Sequence, residues 1–369
     1  MEKTETEHSW KEYRDSEIAL VTPFLLGLGF ELEENQPHVQ GERFLMHAVT
    51  TTSGRKLILL GREKKTGRRV VIKVTSDSNG IKEIQHERQC RQVLKDIRFA
   101  HSIFSTPHEL LYTKNGSQVI SIQEFIEQES SFLDRPITEQ FSFALSAFKA
   151  QEGAHATTAG HIALIQKNFQ TTDSRRYLQE FSQFKNNCTG ENCADERLAS
   201  LFAEAEEKLS KNAETIEQYC GFLTHVDFVP HNFRIRENTI FLLDHSSLRF
   251  GNKYEGWARF LNFMTLYGPE LEEAFVGYVK NNRTPEELLS LQLMRIFRLG
   301  EIIWYYTNTL SKVSGDLLNL NKARVEFWTS VLESTLRQEA LPTAIREEYK
   351  QKRESLRSED EKRRQEGLH

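Results

Sequence analysis

Apolar positions change their spacing twice along the chain, and each change marks a new region. Residues 1–13 are polar and predict a loose start. Ile18, Val21, Leu25, Leu26 and Leu28 then share one face at helical spacing, with Pro23 as a kink or a start. From about residue 43 the period shortens. Phe44 to Thr52, Lys56 to Gly61 and Arg69 to Thr75 are β-rich, and Ser53-Gly54 and Lys65-Thr66-Gly67 separate them as turns. A helix is predicted over 80–95, with Ile84, Cys90, Val93 and Leu94 on its apolar side. Strands near Glu109–Thr113 and Gln118–Glu124 follow, joined by Lys114-Asn115-Gly116. After Gln128 the spacing turns helical, over 137–150, 175–186, 195–219, 255–267, 270–281, 285–311 and 320–338. One β-rich island interrupts it: Phe233–Arg236, a turn at Glu237-Asn238, then Thr239–Leu243. From 343 to 369 Lys/Arg alternate with Glu/Asp, predicting a solvated helix or a disordered tail.

This order predicts an α+β chain. A small antiparallel β-sheet with one inserted helix precedes a larger, mainly helical part containing one hairpin. The boundaries fall at 1–40 for an N-terminal helical extension, 41–126 for the sheet lobe, 127–342 for the helical lobe and 343–369 for the charged tail. With 38% hydrophobic and 27% charged residues, the chain can bury a large core. A net charge of -5 lacks the basic footprint of a nucleic-acid binder. No run approaches the roughly 18 apolar residues of a membrane span, and the start has no signal-peptide core. None of the four cysteines forms a C-x-x-C pair. Reduced thiols and a cytoplasmic location are the expectation.

The chemistry gathers around the hairpin. His225-Val226-Asp227-Phe228-Val229-Pro230-His231-Asn232 leads into it, and Ile240-Phe241-Leu242-Leu243-Asp244 leaves it. The two ends of a ribbon lie about 5 Å apart, so Asp227, Asn232 and Asp244 are brought together. Each alone reads more readily as a turn cap. Together, Asn232 and Asp244 offer hard oxygens suited to Mg2+, and Asp227 is left to accept a proton from an attacking hydroxyl. Phosphoryl transfer asks mainly for such positioning and charge neutralisation.

His225-x-Asp227-x-x-x-x-Asn232, with Asp244 downstream, resembles the catalytic and metal-binding loops of the aminoglycoside phosphotransferase and choline kinase-like family, whose fold is protein kinase-like and two-lobed. The resemblance implies Asp227 as catalytic base, Asn232 and Asp244 as magnesium ligands, and His225 as a structural residue. It also implies a phosphate-contacting lysine on the third strand, held by a glutamate of the next helix. Arg69-Val70-Val71-Ile72-Lys73 supplies Lys73, with Val71 on the same strand face to cover adenine. Glu87 is the partner expected for Lys73, with Glu83 in reserve. Glu124, Phe125 and Ile126 fall at the hinge, where backbone groups would meet the adenine edge. Ser53 and Gly54 belong to the loop expected to cover phosphate, here with one glycine. Val226, and His245-Ser246-Ser247 after Asp244, depart from the family's usual residues.

The function implied is ATP- and magnesium-dependent transfer of the γ-phosphate to a hydroxyl of a small molecule, of the aminoglycoside, choline or sugar kind. The alternative is an inactive, nucleotide-binding pseudokinase acting as scaffold or sensor; AMP transfer or protein phosphorylation would use the same fold. His155 and His161 match no metal signature. Glu301 with Trp304 and Tyr305 could hold a substrate cation, or belong to the core.

Overall fold

A computed structural model describes residues 5–50, 54–96, 104–153, 159–190 and 195–366. It has the two predicted lobes. The N-terminal lobe runs through α1 (Glu5–Gly27), β1 (Phe30–Leu32), α2 (Gly41–Thr50), β2 (Leu57–Glu63), β3 (Arg69–Thr75) and α3 (Ser78–Asp96). It continues through β4 (Phe104–Ser105), β5 (Glu109–Asn115) and β6 (Gln118–Glu124). Five strands form one antiparallel sheet in the order β1-β2-β3-β6-β5. β3 is central. Its alternation sends Val70, Ile72 and Val74 into the core, leaving Val71 and Lys73 on the opposite face.

Two expectations for this lobe are overturned. The polar start is not loose within the described residues, because α1 begins at Glu5 and runs through Pro23. Trp10 and Tyr13 anchor it in the core, each aromatic burying about 150–250 Å². Buried Glu17 on the same helix accepts from Gln118 Nε2 at 2.7 Å. The second correction is α2, which occupies most of the expected strand Phe44–Thr52. Phe44 and Met46 are both buried, so the apolar alternation is real, but it arises from a helix covered on two sides. Phe44 meets Trp10 edge to face at 5.4 Å, while Met46 packs beside Asn321 of the other lobe. The sheet edge is supplied instead by β1, paired with β2 through Phe30 and Glu63.

The C-terminal lobe comprises α4 (Ile137–Gly153), α5 (Ala159–Asn168), β7 (Gln170–Thr171), α6 (Ser174–Cys188), α7 (Glu196–Lys211) and α8 (Ala213–Gln218). Four short strands follow: β8 (Phe222–His225), β9 (Phe233–Arg236), β10 (Thr239–Leu242) and β11 (Leu248–Gly251). Then come α9 (Glu255–Tyr267), α10 (Pro269–Asn282), α11 (Pro285–Thr307) and α12 (Gly315–Arg337). β9 and β10 are the predicted hairpin, turning through Glu237 at φ 56°. β8 pairs with β11 instead, so two ribbons flank the turn at 226–232.

Fully buried Glu255 ties this lobe together. It accepts from Tyr177 Oη at 2.6 Å, from Arg249 Nε at 2.7 Å and Nη2, and from Arg298 Nη1 at 3.4 Å. Removing it leaves two guanidiniums buried without their shared counter-charge. Glu255→Ala is therefore expected to lower stability by about 3–5 kcal/mol, read as a shift in the urea midpoint at constant slope.

Of the two expectations for the charged tail, the solvated helix holds over most of its described length, with Arg346, Tyr349, Glu361 and Arg364 buried. It forms α13 (Thr343–Leu356) and α14 (Glu359–Glu366). Tyr349 stacks on Phe327 at 4.2 Å, and Arg346 Nε donates to the Thr265 carbonyl at 2.7 Å. α14 lies on α2: Glu361 Oε2 accepts from the Arg43 amide at 3.3 Å, and Glu42 Oε1 from the Ser358 amide at 2.7 Å. Gly41, at φ 73°, has room for no side chain, since a Cβ there would stand 2.8 Å from Glu361 Cα. Glu361 and Arg364 pair with each other, which lets these two charged residues be buried in an otherwise exposed tail. Among the described residues no helix is long and apolar enough to cross a membrane, and Cys90, Cys188 and Cys220 form no disulfide. Cys193 and His155 lie outside the described residues.

Candidate functional site

The site starts from two turns tied together at their bases. β8 delivers His225, which is wholly buried. Its Nε2 donates to the Asp244 carbonyl at 2.6 Å, and the Val226 amide donates to the Ser247 carbonyl at 2.8 Å. Beneath the turn, Phe228 stacks on Phe233 at 4.9 Å and packs against Phe148 at 5.3 Å. Such aromatic pairs add about 0.5–1.5 kcal/mol each beyond area burial, so the backbone carrying Asp227 is held from below. At the hairpin the Leu243 amide donates to the Asn232 carbonyl at 2.9 Å, setting Asp244 beside Asn232.

Asp227, Asn232 and Asp244 are therefore brought to one place. Asn232 Nδ2 donates to the Asp227 carbonyl at 2.8 Å and to its Oδ2 at 2.7 Å. This fixes the amide and leaves its Oδ1 facing away from that pair of bonds. Asp244 accepts from the Ser246 amide at 3.1 Å, Ser246 Oγ at 2.6 Å and Ser247 Oγ at 2.6 Å. Burial opposes the charge on Asp244, but His225, these donors and Lys56 hold its pKa far below the usual carboxylate range. Among the described residues no three His, Cys, Asp or Glu side chains gather for a metal. A carboxylate and an amide oxygen nevertheless suit Mg2+, which commonly takes one or two protein carboxylates and completes its shell with phosphate and water. The serine hydroxyls orient Asp244 as outer partners do at metal sites.

From the other lobe, β3 presents Lys73. Its Nζ lies 2.5 and 2.6 Å from the two oxygens of Glu87 on α3. Arg91 Nη1 backs Glu87 at 3.1 Å and reaches Glu109 through Nη2 at 3.0 Å. Burial, with Lys56 nearby, lowers the Lys73 pKa, while Glu87 and Asp244 oppose the shift. α3, which carries Glu87, packs on the turn His245–Ser247 that follows Asp244, so the Lys73–Glu87 pair lies near that turn. Glu83 is not its partner: Glu83 accepts from the Gly54 amide at 2.8 Å and pairs with Lys56 Nζ at 3.1 Å.

The other expected residues divide. Val71 is half-buried beside Lys73 on the same strand face. At the hinge the Glu124 amide donates to the His108 carbonyl and the Phe125 amide to the Arg69 carbonyl. Of the three hinge positions, Ile126 alone has an amide with no protein acceptor among the described residues. Gly54 packs its backbone on Asn79 and Gly80 at the start of α3, and its amide is engaged by Glu83. It is thus a joint between β2 and α3, and Ser53 lies outside the described residues. The connection from β1 to β2 is not a tight loop; it contains α2. Glu301, Trp304 and Tyr305 do not converge. Arg298 holds Glu301 at 2.6 Å, Trp304 packs on Phe184 at 5.2 Å, and Tyr305 joins the N-terminal core.

Two residues belong to the site without having been expected there. Lys56 Nζ pairs with Glu83 at 3.1 Å, and although burial would lower its pKa, Glu87, Glu83 and Asp244 raise it above the usual lysine value. Arg259 of α9 donates from Nε to Asp227 Oδ1 at 2.8 Å. Burial opposes ionisation of Asp227, yet Arg259, Arg43 and Arg298 hold its pKa at about 2.

In sequence, no family model and no curated protein matches this chain. In structure, it is similar to a thermostable mutant of aminoglycoside phosphotransferase APH(4)-Ia, at TM-score 0.54 and 15% identity over 78% of this chain and 92% of that one. The same enzyme has been solved with ADP and hygromycin B. Aminoglycoside 2'-phosphotransferase-IIIa in its GDP complex gives TM-score 0.55 at 12% identity, over 75% of this chain and 90% of that one. Macrolide 2'-phosphotransferase MphH from Brachybacterium faecium gives 0.51 at 12%, over 84% and 97%. The chain therefore has the two-lobed, kinase-like fold of the aminoglycoside and macrolide phosphotransferases.

Proposed function

We propose that this protein is a phosphotransferase that moves the γ-phosphate of ATP to a hydroxyl of a small molecule. The observation carrying this reading is that Lys73 pairs with Glu87 on α3, which packs against the turn following Asp244, next to the turn that holds Asp227 and Asn232. Lys73 and Lys56 take the phosphates, Asn232 Oδ1 and Asp244 hold magnesium, and the amide of Ile126 meets the base. Bound magnesium neutralises phosphate charge. Asp227 orients the acceptor hydroxyl. As the acceptor oxygen bonds to the γ-phosphorus, the bond to the β,γ-bridging oxygen breaks and its electron pair leaves with ADP. The hydroxyl proton passes to Asp227. A pKa near 2 makes Asp227 a weak base toward a free alcohol. The loose transition state of phosphoryl transfer lets the proton move late, once the oxygen has become acidic.

The helix α2 in the connection between β1 and β2 favours the second reading, an inactive nucleotide-binding scaffold. The formed Lys73–Glu87 pair weighs against it, since in kinases that pair accompanies the active arrangement. The deciding experiment incubates the protein with Mg·ATP and a panel of hydroxylated compounds and follows ADP and phosphorylated product. Transfer is expected, together with thermal protection by Mg·ATP that Lys73→Met removes. Protection without product from any acceptor favours the scaffold, and no protection counts against both readings.

A further inference from the structure

The acceptor side of the site carries a cation whose donors are mostly unused. Arg259 reaches Asp227 through Nε alone, the one hydrogen bond its guanidinium makes with protein among the described residues. Neighbouring arginines behave differently. Arg249 engages Glu255 through two nitrogens and Glu180 through a third. Arg295 engages Asn262, Thr265 and Glu272. These are arginines whose task is to hold the fold. Arg259 instead is partly exposed and keeps Nη1 and Nη2, a planar pair of amino groups, beside the carboxylate that receives the acceptor.

The charges around Arg259 are mixed: Glu301 lies near it and is held by Arg298 at 2.6 Å. Exposed Arg43, on α2 of the facing lobe, also acts on Asp227. Among the described residues Glu301, Trp304 and Tyr305 form no cation cage, since Arg298 pairs with Glu301 and the two aromatics pack into separate cores. A guanidinium with two free amino groups matches the two oxygens of a carboxylate or phosphate.

Resting on the phosphotransferase reading, we infer that the acceptor is an anionic hydroxy compound. Its carboxylate or phosphate docks on Nη1 and Nη2 of Arg259, which brings its hydroxyl to Asp227. Arg259 is then both the residue that holds the base and the one that selects the substrate's charge.

The test compares acceptors matched in shape and differing in charge, with Mg·ATP and detection of phosphorylated product. Glycerate is set against glycerol, gluconate against sorbitol, and ribose 5-phosphate against ribose, with choline and kanamycin as cations. The carboxylate and phosphate arms distinguish the two anion sources. At least one anion is expected to exceed its neutral counterpart about tenfold or more in kcat/KM. Arg259→Lys is expected to raise KM for that anion about 10- to 100-fold, the weight of a charge-assisted pair, and to lower kcat less. Arg259→Gln serves as a second variant, its fold checked by its thermal midpoint. Preference for a neutral or cationic acceptor, or unchanged KM for the anion in both variants, overturns the inference and leaves the phosphotransferase reading standing. If nothing is phosphorylated, the Mg·ADP-loaded protein is titrated with the same anions. Absence of Arg259-dependent binding overturns the inference, whereas absence of Mg·ATP binding overturns the reading beneath it.

Discussion

Asp227→Asn is expected to lower kcat by about 10²- to 10⁴-fold, the range for loss of a positioned general base, while the thermal midpoint stays close to that of the parent. The turn does not depend on the Asp227 charge. It is fastened by the Val226 amide, the His225–Asp244 contact and the stack of Phe228 on Phe233. Asn is nearly isosteric: its single oxygen can keep the Arg259 bond, and Asn232 keeps its bond to the residue-227 carbonyl while losing the one to the carboxylate, so KM for ATP changes little. Quenched-flow product formation at saturating acceptor separates loss of chemistry from loss of binding. Turnover within threefold of the parent would remove Asp227 from the role of base. The pH profile is a second check. With a folded pKa near 2, below its ordinary 3.8, Asp227 is ionised throughout the working range. Its stabilising charge is present above its unfolded pKa and lost only as pH falls through the folded value.

Asp244→Asn is expected to act through the metal. The amide keeps one oxygen for the serine donors, so the turn at Ser246 and Ser247 survives. The negative charge that attracts Mg2+ is gone. A bound metal supplies several kcal/mol of charge stabilisation in the transition state, so the rate should fall at least about 100-fold. The metal concentration for half-maximal activity should rise. A Mg2+ titration of the parent and the variant reads this directly, and an unchanged half-saturation point with unchanged rate would exclude Asp244 as ligand. Because His225 donates to the backbone carbonyl of Asp244, the variant keeps that tie.

The parts of the site that could be read from the chain are those whose signals are local. Lys73 stands inside a β-branched run between two turns, and Glu87 follows on the next helix. Asp227, Asn232 and Asp244 bracket a hairpin whose ends must meet. The parts that could not be read depend on distant contacts. Arg259 meets Asp227 across 32 residues, on a helix where its spacing is that of any polar position. Lys56 owes its place to Glu83, held at the same time by Gly54. α2 imitated a strand because two different surfaces cover it, and alternate burial is the usual mark of a sheet. The tail is the solvent-exposed helix its charges predict, but its docking through Tyr349, Glu361 and Arg364 depends on distant partners that leave no local mark.

The clasp of α14 on α2 changes what an opening of the cleft can be. The lobes are joined in covalent chain near Phe125, and they also meet through Met46 and Asn321 and through the grip of Glu361 and Ser358 on α2. A change in the angle between them must carry α14 along with α2 or part these bonds. On the phosphotransferase reading, substitutions in α14 would thereby alter the departure of product without touching a reacting group.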